Sequence, residues 1–361
     1  MEHNEPVIGL TESGCLARQK QLSSELARSG FNAALLADRR NVHAYSGYWT
    51  REVFRPALLV CADGRTFLAM ASRPASKPFV SEIVTCPAAP LGTLVDEQVK
   101  VAAQSLESVL SELKYIGTDG FSCERLTCDI SSMLRPLRRK KFPDEISLIE
   151  RGVRACEAIY AMARETVRPG VSEWFLYLES LAAATKAVGE PIGELGNDFQ
   201  SGTPGGPPRH RAMEDQELLP LDISVVVRGY HSDLCRTFAV GKKPTALQHD
   251  AHRRVLEVLQ FVESTVKPGV SCRRLYEEAA QMLRGHRDWV FPHHLGHGIG
   301  LSAHESPRLN PAWDDYFQEG DLFTAEPGLY APELRGGVRL EQDYLVTETG
   351  VRSLSNFPLN L

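Results

Sequence analysis

The stretch Leu221-Asp222-Ile223-Ser224-Val225-Val226-Val227-Arg228-Gly229-Tyr230-His231-Ser232-Asp233-Leu234-Cys235-Arg236-Thr237-Phe238 carries apolar and β-branched runs on both sides of Arg228-Gly229. It reads as a β-hairpin closed by a two-residue turn. Such a turn sets the register: Val227 faces Tyr230, Ser224 faces Asp233 and Asp222 faces Cys235. Because side chains alternate with period two, Asp222 and Asp233 share one sheet face as diagonal neighbours, with Cα atoms roughly 7 to 8 Å apart. Two carboxylates held that close repel each other unless cations lie between them, and metal ions about 3.5 to 4 Å apart meet that need. A lone Asp is ordinarily a turn or salt-bridge residue, but the apolar text on both sides makes that explanation poor here.

Two clusters downstream offer complementary donors. The first is Pro292-His293-His294-Leu295-Gly296-His297-Gly298-Ile299-Gly300-Leu301-Ser302-Ala303-His304-Glu305, which places four His within twelve positions of a chain that has 11 in all. Its interleaved glycines permit close backbone approach to a ligand, although an isolated His such as His294 is as readily a core residue. The second runs from Thr324-Ala325-Glu326-Pro327-Gly328-Leu329-Tyr330 to Gly336-Gly337-Val338-Arg339-Leu340-Glu341-Gln342-Asp343-Tyr344-Leu345-Val346. Glu326 and Glu341 each interrupt a strand-like apolar run, where an unpaired charge costs several kcal/mol. A buried salt bridge to Arg339 is one way to satisfy them. Two Asp, two Glu and one His also form a hard, oxygen-rich set suited to Mn²⁺, Co²⁺, Fe²⁺ or Zn²⁺ in a two-metal site rather than to a thiolate zinc site.

Around this constellation the text shows a duplication. Glu165-Thr166-Val167-Arg168-Pro169-Gly170-Val171-Ser172 returns as Ser264-Thr265-Val266-Lys267-Pro268-Gly269-Val270-Ser271, so that Val167 and Val266 correspond. In each copy Pro-Gly stops one helix and the Ser caps the next, about Glu173 to Val188 and about Cys272 to Arg284. Strand text follows both helix pairs. The expected second domain is therefore two halves, each with helices on one face of an antiparallel sheet and a shared cleft between them.

The length of 361 residues is long for one core and comfortable for two domains. The first part alternates strand and helix text: Ala33 to Leu36, then Pro56 to Cys61 and Thr66 to Met70 around a turn containing Gly64, then a helix of about Val95 to Leu113. It reads as a small α/β domain. Arg138, Arg139, Lys140 and Lys141 read as a solvated connector, and Pro143-Asp144-Glu145 as a helix start, which puts the domains at 1–140 and 141–361.

Composition narrows the function classes. With 43% hydrophobic and 24% charged residues the chain has apolar surface enough for sizeable cores. A net charge of −6 with scattered Lys and Arg gives no footprint for nucleic acid. The polar start Met1-Glu2-His3-Asn4-Glu5 and the lack of any apolar run of about 18 residues argue against export and membrane insertion. Cys15, Cys61, Cys86, Cys123, Cys128, Cys156, Cys235 and Cys272 are widely spaced, which fits a reducing cytoplasm.

The order Asp, Asp, His, Glu, Glu, together with the hairpin, the HxxxHGIGLxxH run, the EPGLY turn and the GVRLEQDYLVT strand, resembles the pita-bread metallopeptidases, in the aminopeptidase P and prolidase branch with a creatinase-like N-terminal domain. The resemblance covers nearly the whole chain. It implies an α/β N-terminal domain and an α+β pita-bread C-terminal domain built as an inverted pair of halves. It also implies hydrolysis of short peptides with proline second, on two divalent metal ions with Mn²⁺ first and Co²⁺, Zn²⁺ or Fe²⁺ as alternatives. Carried onto this sequence, Asp222 binds one metal, His297 and Glu326 the other, and Asp233 and Glu341 bridge. A metal-bound water is then the nucleophile, with Glu326 as proton shuttle. His293 and His304 hold substrate and oxyanion, Arg339 orients the Glu341 side, and a homodimer is expected.

Two positions depart from the family pattern. The substrate-side His that usually lies some seventeen residues before the first metal Asp is replaced by Gly205, leaving His210 or Arg209 nearby to fill its role, and Cys235 stands where Thr is usual. The missing His keeps open a small-molecule C–N hydrolase of the creatinase or ectoine hydrolase kind, acting on an amide or amidine. A non-catalytic binding protein on the same fold is a third reading, disfavoured because unused carboxylates in a buried cluster destabilise.

Overall fold

Pro143 opens the helix Pro143–Thr166 at its first position, where a missing N–H costs nothing, and Asp144 and Glu145 sit in the first turn. The helix belongs to the second of two compact units, Met1–Arg138 and Arg139–Leu361. The structure is a computed structural model that describes residues 9–50, 53–71, 77–88, 90–121, 128–285 and 287–361. The N-terminal Met1 to Glu5 and Cys123 lie outside the described residues.

In the first unit a six-stranded mixed sheet runs in the order Glu82–Thr85, Thr66–Met70, Ala57–Cys61, Ala33–Leu36, Ile116–Thr118 and Cys128–Asp129. Three of its four inner strands, Ala33–Leu36, Ala57–Cys61 and Thr66–Met70, are buried along their whole length, which explains their continuous apolar text. Gly64 takes φ 92° in the hairpin turn between two of them. The helix read over Val95 to Leu113 is two pieces, Val95–Ser105 and Glu107–Leu110. The backbone leaves helical geometry at Leu106, whose buried side chain joins Ala102, Ala103 and Leu110 against the sheet.

In the second unit the predicted register holds. Strands Leu218–Ile223 and Leu234–Ala239 pair antiparallel with Asp222 opposite Cys235, and Val226–Val227 pairs with Tyr230–His231 with Val227 opposite Tyr230. Arg228 and Gly229 take φ 50° and 85°, the left-handed pair that a two-residue turn requires. A five-stranded antiparallel sheet follows in the order Glu305–Leu309, Gly296–Gly298, Leu322–Ala325, Gln342–Val346, Val351–Ser353. Helices Ala246–Thr265 and Cys272–Leu283 cover it, packing Val255, Leu259 and Leu275 with Leu295, Phe323 and Tyr344.

The two Pro-Gly loops are built alike. Gly170 and Gly269 both take φ 88°. Their N–H groups donate to Met213 O at 3.0 Å and Phe317 O at 2.8 Å. Ser172 Oγ and Ser271 Oγ each accept from the N–H three residues on, at 3.1 Å, opening Glu173–Val188 and Cys272–Leu283.

The basic run is only in part the solvated connector that its charge suggests: the boundary between the units falls within it and Lys140 is exposed, but Arg139 and Lys141 are drawn to acidic partners. Arg139 holds Asp321 at 2.7 Å and Lys141 holds Glu305 at 3.0 Å, with the Lys141 side chain only 1% exposed. Burial of their acidic partners, far away in sequence, draws these cations inside. Among the described residues the cysteines are free, and no helix is long and apolar enough to cross a membrane.

Arg236 ties the hairpin to the strand after Arg339. It is 2% exposed and donates to Cys235 O at 2.9 Å, Glu341 O at 2.7 Å and Gln342 Oε1 at 2.5 Å. Arg236→Met is expected to cost about 2 to 4 kcal/mol, because each buried acceptor left without a donor costs roughly 1 to 3 kcal/mol while the Met stem refills part of the volume. A urea midpoint equal to wild type would contradict this.

Candidate metal centre

Three of the carboxylates stand where a strand ends and the chain changes its pairing partner. Asp233 lies between Tyr230–His231 and Leu234–Ala239, Glu326 between Leu322–Ala325 and Gly328–Ala331, and Glu341 between Gly336–Arg339 and Gln342–Val346. Breaks of this kind aim side chains out of the regular pleat. Asp222 comes from within Leu218–Ile223, and His297 from the short strand Gly296–Gly298.

These five side chains line one cleft of about 740 Å³. Ligand atoms of Asp233, His297 and Glu341 lie within 4.8 Å of one another, as do those of Asp222, Glu326 and Glu341. His297 Nε2 is 3.6 Å from Glu326 Oε1 and 3.9 Å from Asp233 Oδ2. Its Nδ1 is 3.1 Å from Gly298 O. A carbonyl only accepts, so that nitrogen carries the proton and Nε2 turns a lone pair toward the carboxylates. Burial lowers the His297 pKa to about 3, which keeps the ring neutral.

The electrostatics are those of a site short of positive charge. Burial, with the charges of Asp198 and Glu326 added and that of Arg339 opposing, raises Asp222 to about 7. Burial and their neighbouring carboxylates push Asp233 and Glu341 well above the usual range. Glu326 goes the other way: burial would raise it, but the hydrogen bond and charge of His294 hold it down to about 2. Glu341 is 1% exposed, and its Oε2 has no hydrogen-bond donor. Three buried carboxylates and the half-buried Asp222, with an orphaned oxygen and a lone pair aimed among them, suit divalent cations, and the oxygen-rich donor set suits hard ones.

The structure adds to and corrects the expected roles. Arg339 forms its ion pairs with neither Glu: it holds Asp222, which lies within ligating reach of Glu341, at 2.8 Å, and also pairs with Asp198, a cleft residue with no motif to mark it in the sequence. His294 is no bland core residue, since its Nε2 is 2.8 Å from Glu326 Oε1. His293 lines the cleft, yet its Nδ1 faces His294 O at 2.8 Å and its Nε2 the Tyr330 hydroxyl at 2.9 Å. His304 stacks on His297 with centroids 3.7 Å apart and planes 11° apart. Asp343, also unsuspected, is fully buried and accepts the Asp233 N–H at 3.0 Å.

His210 is not brought to the cleft. It is exposed, with its ring 5.5 Å from that of Trp174. Arg209 is held by the buried Glu173 at 2.6 Å. An uncompensated Glu173 would be costly, so its demand for a cation decides the direction of Arg209. Cys235 faces Asp222 across the hairpin, and burial raises its thiol well above the usual range.

Comparison with known proteins follows the same lines. The sequence profile of metallopeptidase family M24 matches residues 147–348. An Xaa-Pro dipeptidase of Pyrococcus furiosus is 31% identical over 233 residues, covering 63% of this chain and 66% of that protein. A putative dipeptidase of Bacillus subtilis is 33% identical over 238 residues, covering 63% of each. The chain thus spans just under two thirds of the length of these relatives. The structure of an Xaa-Pro dipeptidase from Bacillus anthracis superposes with a TM-score of 0.77 over 97% of this chain and 99% of that one, at 23% identity, a likeness of fold.

Proposed function

Because the chain belongs to metallopeptidase family M24, we propose that this cleft hydrolyses the Xaa-Pro bond of short peptides, as a dipeptidase or aminopeptidase. The observation that carries the reading is the pair of ligand groups, Asp233 with His297 and Glu341 and Asp222 with Glu326 and Glu341, which share Glu341 and include one neutral imidazole. Asp222, Asp233, His297, Glu326 and Glu341 would hold two divalent cations, with Mn²⁺ the first choice. Such a pair, when bound, supplies Lewis acidity and brings the pKa of water near neutrality.

This chain's own residues supply the rest. Glu326, kept ionised by His294 at 2.8 Å, takes a proton at a carboxylate oxygen and returns it to the departing amine. Arg339 fixes the Asp222 carboxylate from outside the cage. His304, on the open side of His297, holds the substrate carbonyl, and His293 braces Tyr330 and Arg339 through the Tyr330 hydroxyl. The cleft volume lies within the range that buries a small ligand.

Protein loaded with Mn²⁺ is expected to release free amino acid from a panel of Xaa-Pro peptides, and to carry about two metal ions per chain by elemental analysis. No release across the panel would defeat the peptidase reading. A second reading, a small-molecule amide or amidine hydrolase, is favoured by one observation: neither Arg209 nor His210 lines the cleft. Release from creatine-like or ectoine-like amidines with none from peptides would select it, and absence of metal after loading would select a binding protein instead. Buried free thiols support a reducing cytoplasm, and we place the working form as a homodimer, to be checked by light scattering at low concentration.

A further inference from the structure

The segment that precedes Pro143 carries a buried lysine that the hydrolytic chemistry does not use. Lys141 Nζ lies 3.0 Å from Glu305 Oε2 and 3.2 Å from Arg139 O. Glu305 immediately follows His304, and its other oxygen, Oε1, accepts the Ser302 N–H at 3.0 Å. The loop between Gly298 and Glu305 is thus gripped at its far end by one carboxylate that uses both oxygens. The grip is close: a Cβ on Gly300 would come within 2.7 Å of Lys141 Cε and 2.9 Å of Glu305 Oε2. At the near end of the loop stands His297, on whose ring His304 lies stacked.

We propose that Lys141 is a positioning residue for His304: its buried ion pair with Glu305 clamps the loop from Gly300 to Glu305, so that the His304 ring lies flat on His297 and faces the cleft. The proposal rests on the hydrolytic reading above in giving His304 a task. The clamp has a physical rationale. A buried ion pair adds little net stability, since desolvation offsets its attraction, but breaking it by removing one partner is costly, so it specifies one loop geometry. The neighbouring pair Arg139 with Asp321 acts on the strand that ends at Glu326: Asp321 Oδ2 accepts the Gln318 N–H at 2.8 Å just before Leu322–Ala325 begins. Of these two cations it is Lys141 that reaches the His304 loop, which the His231 N–H also holds at Gly300 O, at 2.8 Å.

Lys141→Met, Glu305→Gln, the double variant K141M/E305Q and Lys141→Arg test this in the full-length, Mn²⁺-loaded protein. Each single neutralisation is expected to lower kcat by about 10- to 100-fold, the usual effect of removing a group that orients an active-site side chain, with KM within about threefold and metal content unchanged. Lys141→Arg, which keeps the cation, should retain most of the activity. The double variant leaves no unpaired buried charge, so it should regain Tm while kcat stays low. In hydrogen–deuterium exchange of the chelated protein, residues 300–305 should exchange faster in K141M and in the double variant, with residues 336–346 unchanged. Wild-type kcat per loaded molecule in K141M, recovery of kcat together with Tm in the double variant, or unaltered exchange at 300–305 would each overturn the clamp. Because exchange needs no substrate, the clamp is decided even if wild-type protein cuts no Xaa-Pro peptide.

Discussion

Glu341→Gln is expected to abolish hydrolysis and, in the chelated protein, to raise stability. Glu341 shares the reach of both ligand groups, one with Asp233 and His297 and one with Asp222 and Glu326. Losing its charge should therefore weaken both cation positions and cut kcat/KM at least about 10³-fold, comparable to removing a principal electrostatic stabiliser. The stability effect has the opposite sign. Without cations the folded state must either bear the repulsion or protonate a carboxyl that burial and its neighbours have pushed up, while the unfolded chain keeps it ionised at pH 7. A carboxyl raised on folding opposes folding at any pH above its unfolded value. An amide removes that opposition, so the chelated variant should gain on the order of 1 to 3 kcal/mol over chelated wild type. Adding Mn²⁺ should then reverse the ranking, because only wild type gains the stabilisation that a tightly bound ion gives the folded state. Differential scanning calorimetry with and without chelator, beside elemental analysis, checks both signs. A chelated variant less stable than chelated wild type would mean that the carboxylates are satisfied without cations.

The sequence makes legible what local spacing controls. The turn at Arg228-Gly229 and the period of two were enough to pair Asp222 with Cys235, because hairpin register follows from loop length. The Ser172 and Ser271 caps and the Pro143 helix start rest on chemistry within three or four residues. Partners chosen across long stretches of chain were not legible. Arg139 and Asp321 are 182 residues apart, and nothing periodic announces that the basic run will be drawn inward. The same holds for Arg339: the nearby Glu341 looked like its natural partner, yet one strand ends at Arg339, Glu341 stands in the break before Gln342–Val346, and Arg339 pairs with Asp222 and Asp198 instead. Asp198 and Asp343 escaped notice because a single Asp in mixed text has no signature until the fold shows what it faces.

The glycines around His297 were expected to let the backbone approach a ligand, and their actual task leads to a second large effect. A Cβ on Gly296, which takes φ 156°, would stand 2.0 Å from Thr324 O, and one on Gly298 would stand 2.2 Å from Ser306 O. Both obstacles are backbone atoms of neighbouring chain, Thr324 in the strand that leads to Glu326 and Ser306 in the strand that begins beside His304. The close approach is between strands, and it brings the His297 imidazole between Glu326 and His304. Packed backbone cannot rotate away as a side chain can, so the strands must separate. Gly296→Ala and Gly298→Ala are each expected to cost about 3 kcal/mol or more, the upper end for overpacking, despite adding only one methyl group. The damage should extend to the metal centre, since parting these strands carries His297 away from Glu326. Mn²⁺ should therefore stabilise either variant by clearly less than it stabilises wild type, whereas Gly350→Ala, at a position with open space around the new methyl, should match wild type in both respects. If Gly298→Ala kept the wild-type urea midpoint and the full metal-induced rise in Tm, the strand packing described for His297 would be wrong, and with it the account of how this histidine is held to the carboxylates.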